Sequence, residues 1–382
     1  MKVRYEPFGG IVPLEKPAAL VFVNKAYMKK LGYPGHPIWD QETDRLSAPT
    51  EVHFSFTNQC SAGCEHCYTD SVPSGLDEFT LEEMKTHIDT LADFGVFHVA
   101  LGGGESLERE DVFEIAEYIK KKGMIPNLTT NGLPVNDEIA EKCKIFGQIN
   151  VSIDSLVPDP QQPRRSALLE KSLEALKTLI NHGNKTGINC VVNRYNFKQI
   201  PEIIKFARKK RLADVEFLRF KPTGRAIPIY GKFCCTPEQH RTFWPMILAG
   251  SKKHRQDVKI DCSYVPMLCY HSPEKSLMDK FCVKGCDGGN LLASVDWKGR
   301  VKACSFSHEF AGTVENLPQE WGSNENFLKY YNWNDQAPEP CKSCKYLSLC
   351  KGGCHVVAEI VNKNFFSPDP GCPIVYEYMH RK

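Results

Sequence analysis

The chain has 382 residues, of which 42% are hydrophobic and 25% charged, a composition typical of a folded protein with two or three structural units. Its 48 basic and 46 acidic residues leave a net charge of +2, which excludes a strongly basic nucleic-acid-binding protein and an acidic disordered one. No apolar run approaches the ~18 residues of a membrane span, and the N-terminus lacks the apolar segment of a signal peptide. We therefore expect a cytoplasmic protein with neither a membrane nor a nucleic acid as its partner.

The predicted elements follow a regular order over most of the chain. Residues 1–50 predict two short strands, around 9–13 and 18–24, and a short helix at 25–31. From residue 51 to about 235, strand-like and helix-like runs alternate. The strand-like runs are 52–58, 97–103, 125–131, 148–154, 186–193 and 214–220, and the helix-like runs lie near 80–94, 109–122, 136–145, 164–182 and 198–210. Six such alternations predict an α/β fold with a parallel sheet, either doubly wound or closed into a partial barrel.

The last part of the chain has a different character. After about residue 260 the helical periodicity fades and Gly, Pro and Cys become frequent, with eight cysteines between Cys282 and Cys372. A segment this irregular buries too little apolar surface to fold alone, so bound metal is expected to replace part of its core. The sequence thus predicts an N-terminal extension at 1–50, an α/β unit at 51–235, a bridging region at 236–280 and a cysteine-rich domain at 281–382.

The chain contains 17 cysteines. In a reducing compartment, so many cysteines are not expected to form disulfides. Their spacing has to decide between metal or cluster ligation and free buried thiols that act as small hydrophobic side chains.

The first cysteine pattern stands at the end of the first predicted strand of the α/β unit. The segment CSAGCEHC places Cys60, Cys64 and Cys67 on one short loop. Three thiolates there can each bind one iron of a cubane cluster and leave the fourth iron open. The carboxyl edge of a parallel sheet is also where ligands concentrate. The alternative is a three-cysteine zinc site completed by His66.

This CX3CX2C spacing resembles that of the radical S-adenosylmethionine (SAM) superfamily. The resemblance continues in order at the ends of the following strands, through LGGGES, TTNG, SIDS, VVN and RFKPTGRA. It implies a partial (β/α)6, TIM-like barrel and a SAM-binding [4Fe–4S] cluster held by Cys60, Cys64 and Cys67, the catalytic residues. The residues that it places against SAM are Gly103, Gly104, Glu105, Ser152, Asp154, Asn193, Arg219 and Arg225. Substrate is a second possible contact for the two arginines, and capping of the following helix is the alternative role of Ser152 and Asp154.

The tail carries a second, longer cysteine pattern. Cys286 is followed by GX4C, by CX2CX5CX3C and by a last cysteine in SPDPGCP. This resembles the SPASM extension of radical SAM enzymes, which holds two auxiliary iron–sulfur clusters, with structural zinc as the alternative for isolated CX2C pairs. The resemblance assigns Cys286, Cys304 and Cys354 to the first auxiliary cluster, and Cys341, Cys344, Cys350 and Cys372 to the second.

The sequence does not identify the fourth ligand of the first auxiliary cluster. Cys282 is the natural choice, although it lies closer to Cys286 than in relatives with full ligation. Cys269 is a more distant substitute. Without a fourth cysteine, this cluster has an open iron, and in some relatives such an iron binds a substrate cysteine.

Four of the remaining cysteines have other interpretations. Cys143 and Cys190 lie in helix and strand patterns and are predicted to be core residues. The vicinal pair Cys234 and Cys235 follows the sixth strand, near the expected mouth of the barrel. A thiol there could donate a hydrogen atom to a substrate radical, but we favour two loop thiols without a role.

The resemblance implies reductive cleavage of SAM to a 5′-deoxyadenosyl radical that abstracts hydrogen from a substrate. SPASM proteins most often modify peptides or proteins, by a crosslink, a thioether or an oxidation. We expect flavodoxin or ferredoxin as the reductant. The N-terminal stretch faintly resembles part of a leader-peptide recognition module but is too short for a full one, so a separate recognition protein is a possible partner.

Two other functions stay open. One is modification of a small molecule, such as a tetrapyrrole side chain in haem biosynthesis, with His271, His308 and His355 as possible contacts. The other is a non-catalytic iron–sulfur or zinc scaffold, or an electron carrier. Ser305 stands where sulfatase-maturating relatives have an aspartate after the GX4C cysteine, which argues against formylglycine formation.

Overall fold

A small antiparallel sheet forms at the N-terminus of the protein. In the computed structural model, which describes residues 2–15, 18–74, 78–274, 276, 278 and 283–380, strands β1 (Arg4–Glu6), β2 (Gly9–Glu15) and β3 (Ala18–Asn24) pair in that order and helix α1 (Lys25–Lys30) follows. The sequence predicts β2, β3 and α1, whereas the three residues of β1 are too few to show an alternation. Arg4 anchors this sheet to the rest of the protein, because its Nη1 donates to the carbonyls of Pro49 and Gly95 at 2.8 Å each.

A nine-stranded sheet of the described residues forms the centre of the protein. Its strands are β4 (Glu51–Thr57), β5 (His98–Gly103), β6 (Ile125–Thr130), β7 (Ile149–Ser152), β8 (Thr186–Val192), β9 (Val215–Arg219), β10 (Val258–Ile260), β11 (Leu292–Val295) and β12 (Val301–Lys302). They pair in the order β10-β9-β8-β7-β6-β5-β4-β11-β12, and all neighbours are parallel except β11 and β12. The prediction of an α/β fold around a parallel sheet is confirmed, and β4 to β9 are the six predicted strands.

Helices cross over between these strands. They are α2 (Leu81–Phe94), α3 (Val112–Lys121), α4 (Asp137–Lys142), α5 (Leu169–Asn181) and α6 (Ile200–Lys210). Thr80 and Glu83 form a reciprocal capping box at the start of α2, which satisfies two amide groups that the helix leaves free. Helix α3 buries Val112, Ile115 and Ile119, whose spacing puts them on one face towards the sheet. Both the periodicity and the cap are visible in the sequence, which is why these helices are predicted within a few residues.

The other face of the central strands is polar. Nδ1 of His53 lies 2.9 Å from the Ser305 hydroxyl and Nε2 lies 2.9 Å from the Glu51 carboxylate. Further round the sheet, Nδ2 of Asn150 donates to Oδ1 of Asn189 at 2.7 Å. Barrels of this type are more often filled with branched apolar side chains. These polar side chains are paired with one another, those of Asn150 and Asn189 across neighbouring strands.

The cysteine-rich tail joins the same sheet. Residues 292–295 pair in parallel with residues 51–54, so that β11 lies beside the strand that leads into the first cysteine loop. The remaining helices are α7 (Tyr230–Phe233), α8 (Pro237–His254), α9 (Val265–Tyr270), α10 (Leu317–Glu320), α11 (Glu325–Tyr331), α12 (Leu347–Cys350), α13 (His355–Asn362) and α14 (Pro373–Met379). None of the helices in the described ranges is both long and apolar enough to cross a membrane.

Candidate functional site

The three-cysteine loop lies at the carboxyl edge of the sheet, directly after β4. The amide of Cys60 donates to the carbonyl of Val72 at 2.8 Å, and Gln59 and Val72 form a parallel bridge that closes the loop on itself. All three thiols are partly exposed. The loop therefore presents its cysteines at the edge where α/β proteins bind their ligands, as predicted.

The three thiols are close enough to influence one another. Burial raises the pKa of Cys60 to about 11 and also raises that of Cys64. The charge of Cys64 adds to the effect on Cys60, and that of Cys67 to the effect on Cys64. For Cys67, burial alone would raise the pKa, but hydrogen bonds with Thr69 and Ser71 lower it below its ordinary value. The Cys67 sulfur lies 3.2 Å from the Thr69 hydroxyl and accepts the Ser71 amide at 3.4 Å, so its thiolate form is favoured.

The glycines after β5 allow their backbone to lie against the cysteine loop. A Cβ atom on Gly104 would stand 1.9 Å from the carbonyl oxygen of Gln59, and Gly103 has a φ of +105°. The adjoining Glu105 amide donates to the same Gln59 carbonyl at 2.7 Å. Only glycine fits this approach, so the predicted motif holds the two loops together.

The carboxylate of Glu105 is buried beneath these loops. It accepts hydrogen bonds from the Thr130 hydroxyl and the Asn131 amide, both at 2.7 Å, and burial raises its pKa to about 7. Nδ2 of Asn131 in turn points at the Cys60 sulfur, 3.7 Å away. Glu105 thus joins the ends of β5 and β6 behind the first cysteine.

Arg225, one of the two predicted arginines, is a clamp on the cysteine loop. Its Nε donates to the Cys64 carbonyl at 3.0 Å, its Nη1 donates to the Ser71 carbonyl at 2.7 Å, and its amide donates to the Cys67 carbonyl at 3.0 Å. Gly224 makes this approach possible, because a Cβ there would lie 2.4 Å from the Cys67 carbonyl oxygen. The segment that follows β9 therefore fixes the shape of the loop after β4.

Arg225→Lys should weaken the iron site at this loop. A lysine keeps the charge but cannot donate to two carbonyls in the fixed fork of a guanidinium. Loss of a group that orients metal ligands typically costs 10–100-fold in metal affinity or activity, so we expect a fall in SAM cleavage of about that size. Measurements of iron content and 5′-deoxyadenosine yield test this prediction. Arg208→Lys on the exposed face of α6 is the matched control. Equal yields from both variants would show that Arg225 does not hold the cysteine loop in place.

The loop after β7 covers the cysteine loop from the other side. The buried Asp154 accepts a hydrogen bond from Nε of Arg164 at 2.7 Å and from the Val191 amide at 2.8 Å, and Nε2 of His66 lies 3.5 Å from it. Nη1 of Arg164 lies 3.8 Å from the Cys64 sulfur. Arg164 thus connects a predicted site residue to a predicted ligand, and His66 faces a carboxylate.

Ser152 and Asn193 end neighbouring strands near this loop. Ser152, Asp154 and Arg164 line one cavity together with Gln162. The buried Asn193 donates from Nδ2 to Oε1 of that Gln162 at 2.8 Å. The structure therefore brings Ser152, Asp154 and Asn193 to one side of the cysteine loop.

The second predicted arginine, Arg219, has a different environment. Its Nη1 and Nη2 donate to the two carboxylate oxygens of Asp369 at 2.5 and 2.9 Å, and both side chains are almost completely buried. Asp369 also accepts the Cys354 amide at 2.9 Å. Arg219 is thus joined to the cysteine-rich tail, and its predicted contact with SAM or substrate stays a prediction.

Three of the tail cysteines form a group near the sheet. Burial raises the pKa of Cys286, and the charges of Cys304 and Cys354 raise it further. Cys262 belongs to the same surroundings, since its pKa is raised by burial and by Asp261, Asp287 and Cys286. Cys282, the expected fourth ligand, lies outside the described residues. Cys286, Cys304 and Cys354 are the three cysteines that the resemblance assigns to the first auxiliary cluster, and Cys262 is a further thiol close enough to influence Cys286.

The other tail cysteines line a small cavity that is partly open to solvent. Its cysteines are Cys269, Cys341, Cys344, Cys350 and Cys372. The last four are the predicted second auxiliary set. Cys269 was expected as a distant substitute at the first auxiliary site, and this expectation is wrong, because α9 packs against α12 and α14 and carries Cys269 to the second site.

The zinc alternative at the first loop depends on His66. Nε2 of this residue lies 3.5 Å from the Asp154 carboxylate. Among the described residues, no three His, Cys, Asp or Glu side chains converge as the ligands of a single metal ion would. A four-iron cluster differs from such a site, because each thiolate binds a different iron atom.

The structure also locates the residues given lesser roles. Cys143 and Cys190 are buried, as predicted, while Cys234 is partly exposed and Cys235 is buried. His355 is fully buried and stacked on Trp333 at 5.1 Å, so it is a core residue. His271 and His308 are exposed.

Arg164, Asn131 and Asp369 were not singled out from the sequence. Asn131 lies within the TTNG motif, which offered a signal. Arg164 lies in an irregular loop, and Asp369 is 150 residues from its partner Arg219, so neither has a local periodicity to reveal it.

Comparison with known proteins gives relatives over most of the chain. Residues 54–207 match the model of the Radical SAM superfamily. The chain is 26% identical over 352 residues to the Fe-coproporphyrin III synthase of Methanosarcina barkeri, covering 85% of this chain and 88% of that protein. It is 26% identical over 337 residues to the mycofactocin maturase MftC of Mycolicibacterium smegmatis, covering 86% and 83%. Streptococcus suis SuiB bound to S-adenosylmethionine superposes with a TM-score of 0.75 at 16% identity, covering 97% and 98%.

Proposed function

The chain belongs to the radical SAM superfamily of enzymes, and from this premise we propose that it uses SAM to create a radical on a peptide or protein substrate. The observation that carries the proposal is the loop of Cys60, Cys64 and Cys67, held at the carboxyl edge of the sheet by Arg225 and by the glycines after β5. When bound, the [4Fe–4S] cluster and SAM supply a 5′-deoxyadenosyl radical that abstracts a hydrogen atom.

The residues around the loop have distinct roles in this proposal. Cys60, Cys64 and Cys67 hold the cluster, and Thr69 and Ser71 favour the thiolate of Cys67 through their hydrogen bonds. SAM lies against Gly103 and Gly104 on one side of the loop. Its other contacts are Ser152, Asp154 and Asn193, with Arg164 holding Asp154 in place.

The tail holds two auxiliary clusters in this proposal. Cys286, Cys304 and Cys354 bind the first, with Cys262 or Cys282 as a fourth ligand. Cys341, Cys344, Cys350 and Cys372 bind the second. Flavodoxin or ferredoxin supplies electrons. We keep the four units proposed from the sequence. In addition, strands β11 and β12 of the cysteine-rich domain extend the sheet of the barrel.

The N-terminal sheet supports a peptide substrate. Within the described residues, β3 pairs only with β2, so it offers an open edge for an added strand. The side chains of Leu14, Val21 and Phe22 on this sheet are exposed. An extended peptide, or a separate recognition protein that carries it, can bind there by main-chain hydrogen bonds. The relatives MftC, a maturase, and SuiB, solved with precursor peptide SuiA, support the same class.

A tetrapyrrole substrate is the second candidate, supported by the similarity to Fe-coproporphyrin III synthase. Of the three histidines considered as tetrapyrrole contacts, His355 is excluded by its burial among aromatic side chains. A peptide is favoured because the polar inner face of the sheet offers amide and hydroxyl partners to a backbone.

The test is anaerobic incubation of reconstituted protein with SAM and dithionite. We expect about twelve irons per chain, as three [4Fe–4S] clusters require, and formation of 5′-deoxyadenosine. Adding candidate peptides should increase turnover and change the mass of one of them, whereas iron coproporphyrin should leave turnover unchanged. If the porphyrin increased SAM turnover without any peptide, the result would favour a tetrapyrrole substrate instead. Full iron without SAM cleavage would leave a scaffold or an electron carrier.

A further inference from the structure

His53 lies on the inner face of the central sheet, and both of its ring nitrogens have partners. Nδ1 lies 2.9 Å from the Ser305 hydroxyl, and Nε2 lies 2.9 Å from a carboxylate oxygen of Glu51. An ionised carboxylate only accepts hydrogen bonds, so the neutral imidazole carries its proton on Nε2 and donates it to Glu51. Nδ1 then accepts the hydroxyl hydrogen of Ser305. The three side chains thus form a chain of hydrogen bonds with one direction.

The space in front of His53 and Glu51 is open. Phe54 of the same strand is buried, and its ring lies 6.3 Å from that of His87 on α2. Because successive side chains of a strand point to opposite faces, Glu51 and His53 point away from this helix, into the barrel. Although β5 and β11 flank their strand, the two side chains are 35% and 40% exposed. Water or a substrate can therefore reach them.

The cysteine loop borders the same inner face. Ser55 follows His53 by two residues on β4 and pairs with Gly102 of β5. A Cβ atom on Gly102 would lie 3.9 Å from the Tyr68 hydroxyl, so this hydroxyl lies over the face to which His53 also points. Tyr68 directly follows Cys67 in the chain. The end of the three-cysteine loop and His53 thus face the same space.

The first auxiliary group borders this space from another side. Ser305 directly follows Cys304, and the ring of the next residue, Phe306, lies 5.1 Å from that of Tyr68. A substrate placed between the cysteine loop and the first auxiliary group is therefore beside Ser305. A base that is oriented by a carboxylate and hydrogen-bonded to a hydroxyl is an arrangement by which enzymes move protons.

We propose that Ser305, His53 and Glu51 form a proton relay that accepts a proton from the substrate during its modification. This inference rests on the proposed function, in which the 5′-deoxyadenosyl radical removes one hydrogen atom. A crosslink, a thioether or an oxidation removes a second hydrogen, as a proton and an electron. The proton passes to Oγ of Ser305 while the hydroxyl hydrogen passes to Nδ1 of His53, and the electron passes to an oxidised iron–sulfur cluster. Glu51 stabilises the imidazolium, which returns its proton to water.

The charges around the relay favour this direction of transfer. Burial alone would lower the pKa of His53, but the hydrogen bond and the charge of Glu51 raise it above its ordinary value. Four further titratable residues from other elements face this pair: His98, Glu216, Lys221 and Lys259. Burial raises the pKa of Glu216 to about 7, so its carboxylate titrates in a similar range to an imidazole. A test by pH has to separate these two groups.

The test measures modified peptide and 5′-deoxyadenosine separately in reconstituted full-length protein, with the peptide whose mass changes in the assay above. In His53→Gln we expect the peptide product to fall by about 100- to 10,000-fold, the usual contribution of a general base, while 5′-deoxyadenosine still forms. His254→Gln at the end of α8 is the matched control and should behave like the parent protein. Equal peptide yields from both variants would overturn the relay alone.

The pH profile of peptide product per 5′-deoxyadenosine supplies the second measurement. It should rise as His53 loses its proton, and in Glu51→Gln the rise should move to lower pH by about one unit, because the charge that stabilises the imidazolium is gone. Glu216→Gln should move it less, since no hydrogen bond among the described residues joins Glu216 to His53. A larger shift in Glu216→Gln than in Glu51→Gln would overturn the relay. A parent protein that modifies no peptide would overturn the relay and the proposed substrate class together.

Discussion

Replacing Cys60, Cys64 and Cys67 together by alanine is expected to abolish 5′-deoxyadenosine formation. The loop contains the only ligands assigned to the SAM-binding cluster, and the remaining backbone contacts cannot hold iron. The loss should lower the iron content from about twelve to about eight per chain, since each [4Fe–4S] cluster holds four. The tail thiols lie on other elements, so their iron should stay. Iron analysis and mass spectrometry of the SAM products measure both effects.

Cys143→Ala serves as the matched control, because Cys143 is buried in the barrel core and lies outside all three cysteine groups. It should keep its full iron content and its SAM cleavage. Loss of all iron in the triple variant would contradict the assignment of three separate cluster sites. Retained SAM cleavage would contradict the catalytic role of the loop.

Asp369→Ala is expected to destabilise the protein and to empty the tail of iron. Although burial alone would raise it, the charge of Arg219 and hydrogen bonds from backbone amides hold the pKa of Asp369 below its ordinary value. Removing one partner of a buried ion pair leaves an uncompensated charge and typically costs about 3–5 kcal/mol. The same carboxylate accepts the amide of Cys354, an assigned ligand of the first auxiliary cluster, and the amide of Gly371, which precedes the assigned ligand Cys372 of the second. Anaerobic denaturant unfolding and iron analysis measure the two losses.

Two variants make this prediction specific. Asp93→Ala removes an exposed carboxylate from α2 and should change stability by less than about 0.5 kcal/mol. Replacing Arg219 by Met together with Asp369 by Leu removes both charges, and it should recover part of the stability but not the hydrogen bonds to Cys354 and Gly371. If Asp369→Ala behaved like the surface control, the ion pair would not be what joins the tail to the barrel.

The alternating part of the fold could be predicted because its information is local. The apolar spacing of α3, the Thr80 and Glu83 cap of α2 and the order of the strands are all visible within short windows. The cysteine loop could be predicted for the same reason, since its three thiols lie within eight residues. The glycines of LGGGES stand at the end of a recognisable strand, and the structure explains them by close contact with the backbone of Gln59.

The features missed from the sequence depend on distant residues. Strand β11 is four residues long and pairs with a strand from the other end of the α/β unit, which no local pattern indicates. The buried ion pair of Arg219 with Asp369 joins residues that lie 150 positions apart, so no local pattern indicates it. The position of Cys269 follows from the packing of α9 on α12. The spacing of cysteines in the sequence cannot predict that packing.

The parallel pairing of β11 with β4 also has a consequence for how the protein is made. Thr50 and Leu291, which meet at the start of this pairing, are 241 residues apart. At a synthesis rate of ~5–20 residues per second, roughly 12–50 s separate their appearance from the ribosome. During that time β4 has an open edge, the kind of surface that recruits unwanted strands. This edge is covered only when residues 292–295 have been made, so the strand that leads into the three-cysteine loop is among the last to be enclosed.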